Sequence, residues 1–322
     1  MDKIRTGVIG AGYLGKFHLQ KLSAISSSDL VGICDIDADC RRALSGNYTV
    51  PVYDDYRQLL ECVDAVTVVT PTPSHFEIAR FFLENGVHVF VEKPITTTLQ
   101  QADFLVGIAK KKKVVLQCGH IERFNPAFQF VLPQLSEPSF IEAQRLAPFK
   151  ARGNDVSVVL DLMIHDIDLI LSVVKSPVIE LQATGASVLT SAIDVANARL
   201  VFENGCVASM TASRVDKKEV RRLRIFQHSA CFDIDMYGMK CCFHKNVSSL
   251  VIDENVISEE VSLEKKDALK DELEDFFKAI SAAKIPRVSG IDGRNALALG
   301  VKIGEIISKG RYRSLAELSS VA

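Results

Sequence analysis

The sequence predicts a two-domain α/β protein: a doubly wound parallel sheet first, then an α+β domain on a predominantly antiparallel sheet. Three observations lead there. Apolar strand-like runs alternate with amphipathic helical stretches over roughly the first 120 residues. The first strand runs directly into the turn Gly10-Ala11-Gly12-Tyr13-Leu14-Gly15. Beyond Gly119 the alternation stops, and one very apolar helix is followed by short strand candidates separated by turns.

Taken in order, IRTGVIG and DLVGICD read as strands, with LGKFHLQKLSAI as the helix between them. AVTVVT and VHVFVEK follow as strands on either side of SHFEIARFFLENG, a helix opened by a serine and stopped by a glycine. TTLQQADFLVGIAKKKK is a helix, and VVLQCG the strand after it. The run Lys110 to Lys113 suits the negative end of a helix dipole, as a solvated helix end rather than a nucleic-acid patch. Near-continuous apolar strands separated by helices indicate parallel pairing with both faces of the sheet covered.

In the second part, DVSVVLDLMIHDIDLILSVV is the apolar helix. The strand candidates are VIELQATGASVL, DVANARLVFENGCVASMTASR, RRLRIFQHSACFDIDMYGMKCCFHK and SSLVIDENVISEEVSL, with a hairpin turn at Glu203-Asn204-Gly205. DALKDELEDFFKAISAAK and DGRNALALGVKIGEIISKG return to helix. Divisions are expected at 1–120 and 121–290, with 291–322 a C-terminal helix returning towards the first domain. No repeat or low-complexity linker interrupts them.

The 322 residues exceed one typical domain. A hydrophobic share of 48% with 24% charged residues is that of a globular protein with a sizeable core. With 38 basic and 40 acidic residues the net charge is -2, so no strong field recruits nucleic acid or an anionic membrane. The N-terminus has no apolar stretch of signal-peptide length, and no segment reaches the ~18 apolar residues of a membrane span. The expected location is the cytoplasm. The eight cysteines form no CxxC pair and show no zinc-like spacing, and several sit in apolar runs such as VGICDID, so they read as reduced, buried thiols and not as metal ligands. Adjacent Cys241 and Cys242 are read the same way rather than as a redox pair.

The chemistry-bearing residues follow the sheet. GAGYLG follows a strand and opens a helix, the context that makes a GxGxxG turn informative for a dinucleotide. Gly10 permits the tight turn, Gly12 clears the pyrophosphate approach, and Gly15 allows close helix–strand packing. The helix N-terminus, with Tyr13 and Leu14 in its first turn, supplies amides to the anion. Asp35 ends the second strand, where an acid accepts from ribose hydroxyls and disfavours the extra phosphate of NADP; NAD is therefore preferred. Asp37 is a nearby alternative, and Arg41 and Arg42 keep a phosphate partner open.

Thr70-Pro71-Thr72-Pro73-Ser74-His75 lies at the end of the AVTVVT strand and so flanks the cofactor, with Ser74 read as an N-cap and His75 as a first-turn residue rather than a catalyst. Glu92-Lys93-Pro94 ends VHVFVEK; a lysine at the end of a buried strand has an amine available for acid–base work. Asp161, His165 and Asp168 recur at i, i+4 and i+7 of an apolar helix, a polar stripe that favours a site. Metal ligation by that stripe is the weaker alternative, since no further ligands stand at suitable spacing.

In this order and spacing, GAGYLG, TPTPSH, VHVFVEKP, DLMIHDIDL and DGRNALALG resemble the family of glucose–fructose oxidoreductases, inositol dehydrogenases and rhizopine-catabolism proteins (Gfo/Idh/MocA) over nearly the whole chain. The resemblance implies an N-terminal Rossmann domain and a C-terminal domain with a large, open sheet through which copies join as a homodimer or homotetramer. It implies a nicotinamide oxidoreductase acting on a sugar or nucleotide sugar. Lys93 then matches the lysine of the EKP motif beside the nicotinamide, with Glu92, Thr70, Pro71 and His75 on the cofactor side. Asp161 and His165 match the family's acid and proton-transferring histidine, and Asp168 the second acid of HxxD. GHIERFNPAF with LDLMIHDIDLIL further resembles the branch that oxidises the 3-hydroxyl of UDP-N-acetylglucosamine on the way to lipid A sugars, which makes Arg123 and Asn125 candidate substrate contacts. The alternatives are a dehydrogenase of another polyol or cyclic substrate, and a non-catalytic NAD-sensing regulator.

Overall fold

The structure, a computed structural model, describes residues 3–150, 156–246 and 256–310. The chain forms two compact units, one of residues 1–126 with 265–297, the other of 127–264 with 298–322.

The first unit is built on six strands: β1 (Ile4–Ile9), β2 (Ser28–Cys34), β3 (Val52–Tyr53), β4 (Ala65–Val68), β5 (His88–Glu92) and β6 (Leu116–Gly119). They pair in the order β3-β2-β1-β4-β5-β6, every pair parallel. The order reverses between β1 and β4, and ligands of such sheets bind beyond the strand ends at that reversal. Helices α1 (Tyr13–Ala24), α2 (Ala38–Asn47), α3 (Thr72–Glu84) and α4 (Leu99–Lys112) connect them. α4 opens with a capping box of Thr98 and Gln101 and stops at Lys113 in the left-handed region, so its lysines occupy the last turn as expected.

One helix start differs from expectation. α3 begins at Thr72 with Pro71 as its cap residue, two residues before Ser74. Proline lacks the N–H that a first turn leaves unsatisfied and has a helical φ already fixed, so Pro73 favours an earlier start. The Ser74 hydroxyl donates within the turn, 2.8 Å from the Pro71 carbonyl. The glycine stop holds, with Gly86 at φ +81 just past the helix.

Chain order continues with α5 (Pro126–Val131), α6 (Ile164–Val173), α7 (Ala268–Ala282) and α8 (Gly290–Ser308). Leu273, Phe276 and Phe277 of α7 join Val8, Leu19, Leu22, Ile33 and Phe90 in the core of the first unit. Phe90 meets Phe276 edge-on, with centroids 6.0 Å apart. Each such ring is worth about 1.5–3 kcal/mol of burial. Residues 265–297 thus group with the parallel sheet, whereas the division expected at 290 assigns α7 to the second domain. An amphipathic pattern shows that a helix has a buried face, not which sheet receives it.

The second unit carries β7 (Pro138–Leu146), β8 (Val178–Ala186), β9 (Val195–Phe202), β10 (Val207–Ser213), β11 (Val220–Gln227), β12 (Ala230–Asp235), β13 (Lys240–Asn246) and β14 (Val256–Ser262). Their order is β14-β13-β12-β11-β7-β10-β9-β8, antiparallel except for β7 with β10. Gly205, at φ +86, forms the expected turn between β9 and β10, with its N–H donating to the Phe202 carbonyl. Of the strand candidate SSLVIDENVISEEVSL, residues 248–255 lie outside the described residues and the remainder supplies β14.

Two buried carboxylates stiffen this unit. Arg145 of β7 donates to Asp166 of α6, with Nη2 2.8 Å from Oδ1 and Nε 3.1 Å from Oδ2. Asp194 accepts from the backbone N–H groups of Val188, Leu189 and Thr190 and from the Thr190 hydroxyl. Desolvation pushes its pKa up, but those donors outweigh it and hold the carboxyl far below the usual range. Among the described residues no helix is long and apolar enough to cross a membrane.

Candidate active site

The turn after β1 has the shape a dinucleotide needs. Gly10 sits at φ +85, and a Cβ there would lie 2.9 Å from the Thr70 nitrogen. A Cβ on Gly12 would meet nothing within 4 Å, so the space above the turn is open. A Cβ on Gly15 would fall 2.0 Å from the Gly10 carbonyl oxygen, which fixes glycine where helix and turn touch. No side chain caps α1 at Gly12, and Tyr13 and Leu14 are exposed on its first turn. A cavity of about 800 Å³ adjoins the turn, lined in part by Gly12, Tyr13, Lys16, Cys40 and Tyr48.

Asp35 follows β2, and its carboxylate accepts from the N–H of Ala11 (2.7 Å) and of Asp37 (2.9 Å). A carboxylate offers about four acceptor positions, so capacity for ribose hydroxyls remains. Ile36 beside it is 90% exposed, an apolar surface at the sheet end. Arg41 donates to the carbonyls of Asp35 (3.0 Å) and Ile36 (2.9 Å), and Arg42 pairs with Asp39. Arg41 thus bonds back to the segment between β2 and α2, and Arg42 pairs within α2. The open glycine turn, the uncapped helix start and the acid at the strand end together fit a nicotinamide dinucleotide.

Beyond β4 and β5 the remaining first-unit candidates converge. Glu92 ends β5, Lys93 follows it, and the Lys93–Pro94 peptide is cis. Glu92 accepts from His18 Nε2 (3.0 Å) and from the Lys93 backbone N–H (3.2 Å). Burial pushes the Glu92 pKa up, but the His18 contact and the Lys93 charge outweigh it and hold the carboxyl below its ordinary value. His75 places Nδ1 2.9 Å from the Pro94 carbonyl and Nε2 2.7 Å from the Thr70 carbonyl. His18 is not among the residues expected from sequence. Its only signal was a histidine three residues past Gly15, on the face that α1 buries.

Burial lowers the His75 pKa against the raising influence of its two carbonyls and Glu92, and burial likewise lowers that of His88. His88 Nδ1 accepts the Val115 N–H at 2.8 Å, as a neutral ring does. A histidine whose folded pKa lies below 6.5 binds fewer protons folded than unfolded, so its stabilisation is present above that value and is lost as pH falls through it. The unfolding midpoint in scanning calorimetry is accordingly expected to drop between about pH 7.5 and 5.5, before the carboxylates titrate. A flat midpoint across that window would count against neutral burial of both rings.

In the second unit, Asp161 lies within one π-helical turn, Val159–Met163, that runs into α6, and His165 is the second residue of α6. Asp161 and His165 are partly exposed, whereas Asp168 is only 1% exposed. The equal-phase stripe expected from α-helical spacing is thus interrupted. A π turn closes over one residue more than an α turn and rotates the succeeding helix relative to Asp161. Such turns are frequent at functional sites.

Arg123 and Asn125 are buried in the first unit. Arg123 Nη2 lies 3.6 Å from Asp292 Oδ1, and Asn125 donates to Glu122 Oε2 at 3.2 Å. The eight cysteines are thiols rather than disulfides, and burial pushes Cys34 up to about 12. Among the described residues no three His, Cys, Asp or Glu side chains are grouped to hold a metal ion.

Known proteins share both halves of this arrangement. Residues 4–120 match the model of an oxidoreductase family with an NAD-binding Rossmann fold, and residues 135–230 match the GFO/IDH/MocA C-terminal domain. The chain is 38% identical to UDP-N-acetylglucosamine 3-dehydrogenase of Acidithiobacillus ferrooxidans over 305 residues, 94% of this chain and 97% of that protein. It is 28% identical to myo-inositol 2-dehydrogenase of Thermotoga maritima, covering 98% of this chain and 99% of the relative. The solved structure of the A. ferrooxidans enzyme superposes with a TM-score of 0.89 at 37% identity, over 96% of this chain and 99% of that one.

Proposed function

The chain belongs to the Gfo/Idh/MocA oxidoreductase family, and from that premise we propose that it oxidises the 3-hydroxyl of UDP-N-acetylglucosamine with NAD as the acceptor. The observation that carries this substrate is the end-to-end likeness to UDP-N-acetylglucosamine 3-dehydrogenase. NAD is favoured over NADP because Asp35 stands at the end of β2, while Arg41 donates to the carbonyls of Asp35 and Ile36.

Gly10, Gly12 and Gly15 shape the seat of the pyrophosphate, with the first turn of α1, including Tyr13 and Leu14, supplying amides. Thr70, Pro71, Glu92 and His75 flank the nicotinamide half. A nicotinamide held there would supply the acceptor for the hydride of the carbinol carbon. His165 takes the hydroxyl proton in the same step, so that the C–H and O–H bonds break as the carbonyl forms. Lys93 holds the hydroxyl oxygen and stabilises the negative charge that develops there. Asp161 orients the imidazole. Arg123, Asn125 and Asp168, all buried, are the candidate substrate contacts.

The test is NADH formation with UDP-N-acetylglucosamine, UDP-glucose and myo-inositol, and the mass of the product. Turnover with the first and loss of two hydrogens from it support the assignment. Turnover with inositol alone overturns the substrate, and NADH from no sugar or polyol, with Lys93→Ala changing nothing, would mark a cofactor sensor.

Cofactor choice has its own check. Asp35→Ala removes a charged acceptor worth about 1.5–3 kcal/mol, so kcat/KM with NAD should fall roughly 10- to 100-fold. Activity with NADP should fall much less. An unchanged ratio between the two cofactors would remove Asp35 from the selection.

A further inference from the structure

We propose that His18 and His75 are positioning residues that hold the Glu92-Lys93-Pro94 segment between the two cofactor-facing helix starts, so that the aim of Lys93 is set by the same loops that seat the dinucleotide. The proposal rests on the catalytic assignment of Lys93 made above.

Both histidines are 1% exposed. His18 stands on the second turn of α1, the helix opened by the glycine turn, and His75 in the first turn of α3, the helix opened by the Thr70–Pro71 loop. Each reaches a neighbour of Lys93 along the chain. His18 Nε2 donates to one Glu92 oxygen at 3.0 Å, and the other Glu92 oxygen accepts the backbone N–H of Lys93 at 3.2 Å. His75 Nδ1 lies 2.9 Å from the carbonyl of Pro94. Lys93 is therefore fixed on one side through a carboxylate and on the other through a carbonyl, by rings rooted in different helices.

The details of the two rings differ. Among the described residues His18 Nδ1 has no hydrogen-bond partner, so the ring serves Glu92 through Nε2–H, and it packs edge-on to Phe90 at 5.5 Å. His75 faces a carbonyl at each nitrogen, Pro94 at 2.9 Å and Thr70 at 2.7 Å. A neutral imidazole has one N–H and donates to only one of them. Burial favours that neutral form, with the Glu92 charge and the two carbonyls acting the other way. The planar ring still spans the Thr70 loop and the Lys93 segment, which an aliphatic side chain of equal volume would pack against without registering. A buried polar group in an otherwise apolar strand–helix interface is costly unless it is bonded, and here each ring has one contact on the segment from Glu92 to Pro94.

The experiment compares His18→Gln with His18→Phe, and His75→Asn and His75→Gln with His75→Leu. His18→Gln keeps a donor for Glu92. His75→Asn keeps a donor near the Nδ1 position, facing Pro94, and His75→Gln one near the Nε2 position, facing Thr70. Readouts are kcat, the KM of each substrate, the pH profile of kcat, and NAD affinity by titration calorimetry on the purified full-length protein. His18→Phe and His75→Leu should lower kcat by up to about 10²-fold, the effect of a misplacement near 1 Å, and displace the pH profile, and in His18→Phe NAD affinity should change less than about threefold. His18→Gln and His75→Asn should recover most of kcat, and His75→Asn should exceed His75→Gln. If the apolar variants fail to fold, the order of His75→Asn over His75→Gln still decides. Equal kcat in those two, or kcat and NAD affinity falling together without recovery, overturns the positioning role. Lys93→Ala separates the premises: full turnover in that variant removes the assignment of Lys93, whereas loss there with wild-type kcat in His18→Phe and His75→Leu removes only the histidines.

Discussion

Replacing His165 with alanine should lower kcat by about 10²- to 10⁴-fold, the range that a positioned acid–base group contributes. A secondary hydroxyl is too weak an acid to ionise before hydride departs, so losing the base strands the reaction at its first proton. NAD affinity should change little, because the substitution alters none of the residues assigned to the dinucleotide. Added imidazole should restore part of the rate in the truncated variant, which a general structural defect would not allow. Asp161→Asn should give a smaller loss, since on the proposed assignment His165 is the base and Asp161 only orients it. A His165→Ala enzyme within about twofold of wild-type kcat would assign proton removal to another group.

The second large effect is on stability. Asp166→Ala leaves the Arg145 guanidinium buried without its carboxylate. The side chains are 5% and 4% exposed, so water cannot substitute. Breaking such a pair costs about 3–5 kcal/mol. In scanning calorimetry this should lower the unfolding midpoint of the second unit by roughly 10 °C. The double variant Arg145→Met with Asp166→Leu should recover much of the loss, because removing both charges also removes their desolvation cost. A single variant as stable as wild type would mean that Arg145 finds another acceptor. Asp166 directly follows His165, so some loss of kcat in the single variant is expected as α6 shifts on β7.

Much of the first unit was legible in the residues. Continuous apolar strands, glycine stops and a glycine-rich turn are local signals, and the parallel order they imply is the one observed. Gly10, Gly12 and Gly15 could be assigned because a missing Cβ has a direct steric meaning. Three features could not be read. The π turn at Val159–Met163 is a one-residue irregularity of hydrogen bonding with no compositional mark, and it broke the α-helical phase linking Asp161 to Asp168. The start of α3 depended on Pro71 and Pro73 rather than on the better capping residue Ser74. The contacts of His18 and His75 join residues 74 and 19 positions apart, through strands whose neighbours only the tertiary fold brings together.

The core of the parallel unit has a consequence for the order in which the protein is made. Leu19, Phe90 and Ile33 are synthesised early, yet they are covered by Leu273, Phe276 and Phe277, which leave the ribosome after the whole of the second sheet. The dinucleotide turn can form in the nascent chain, but the sheet beneath it stays partly bare until α7 emerges. During that interval the apolar floor of the first unit is exposed to chaperones and to misfolding, and full protection of its amides should arrive only with the last sixth or so of the sequence.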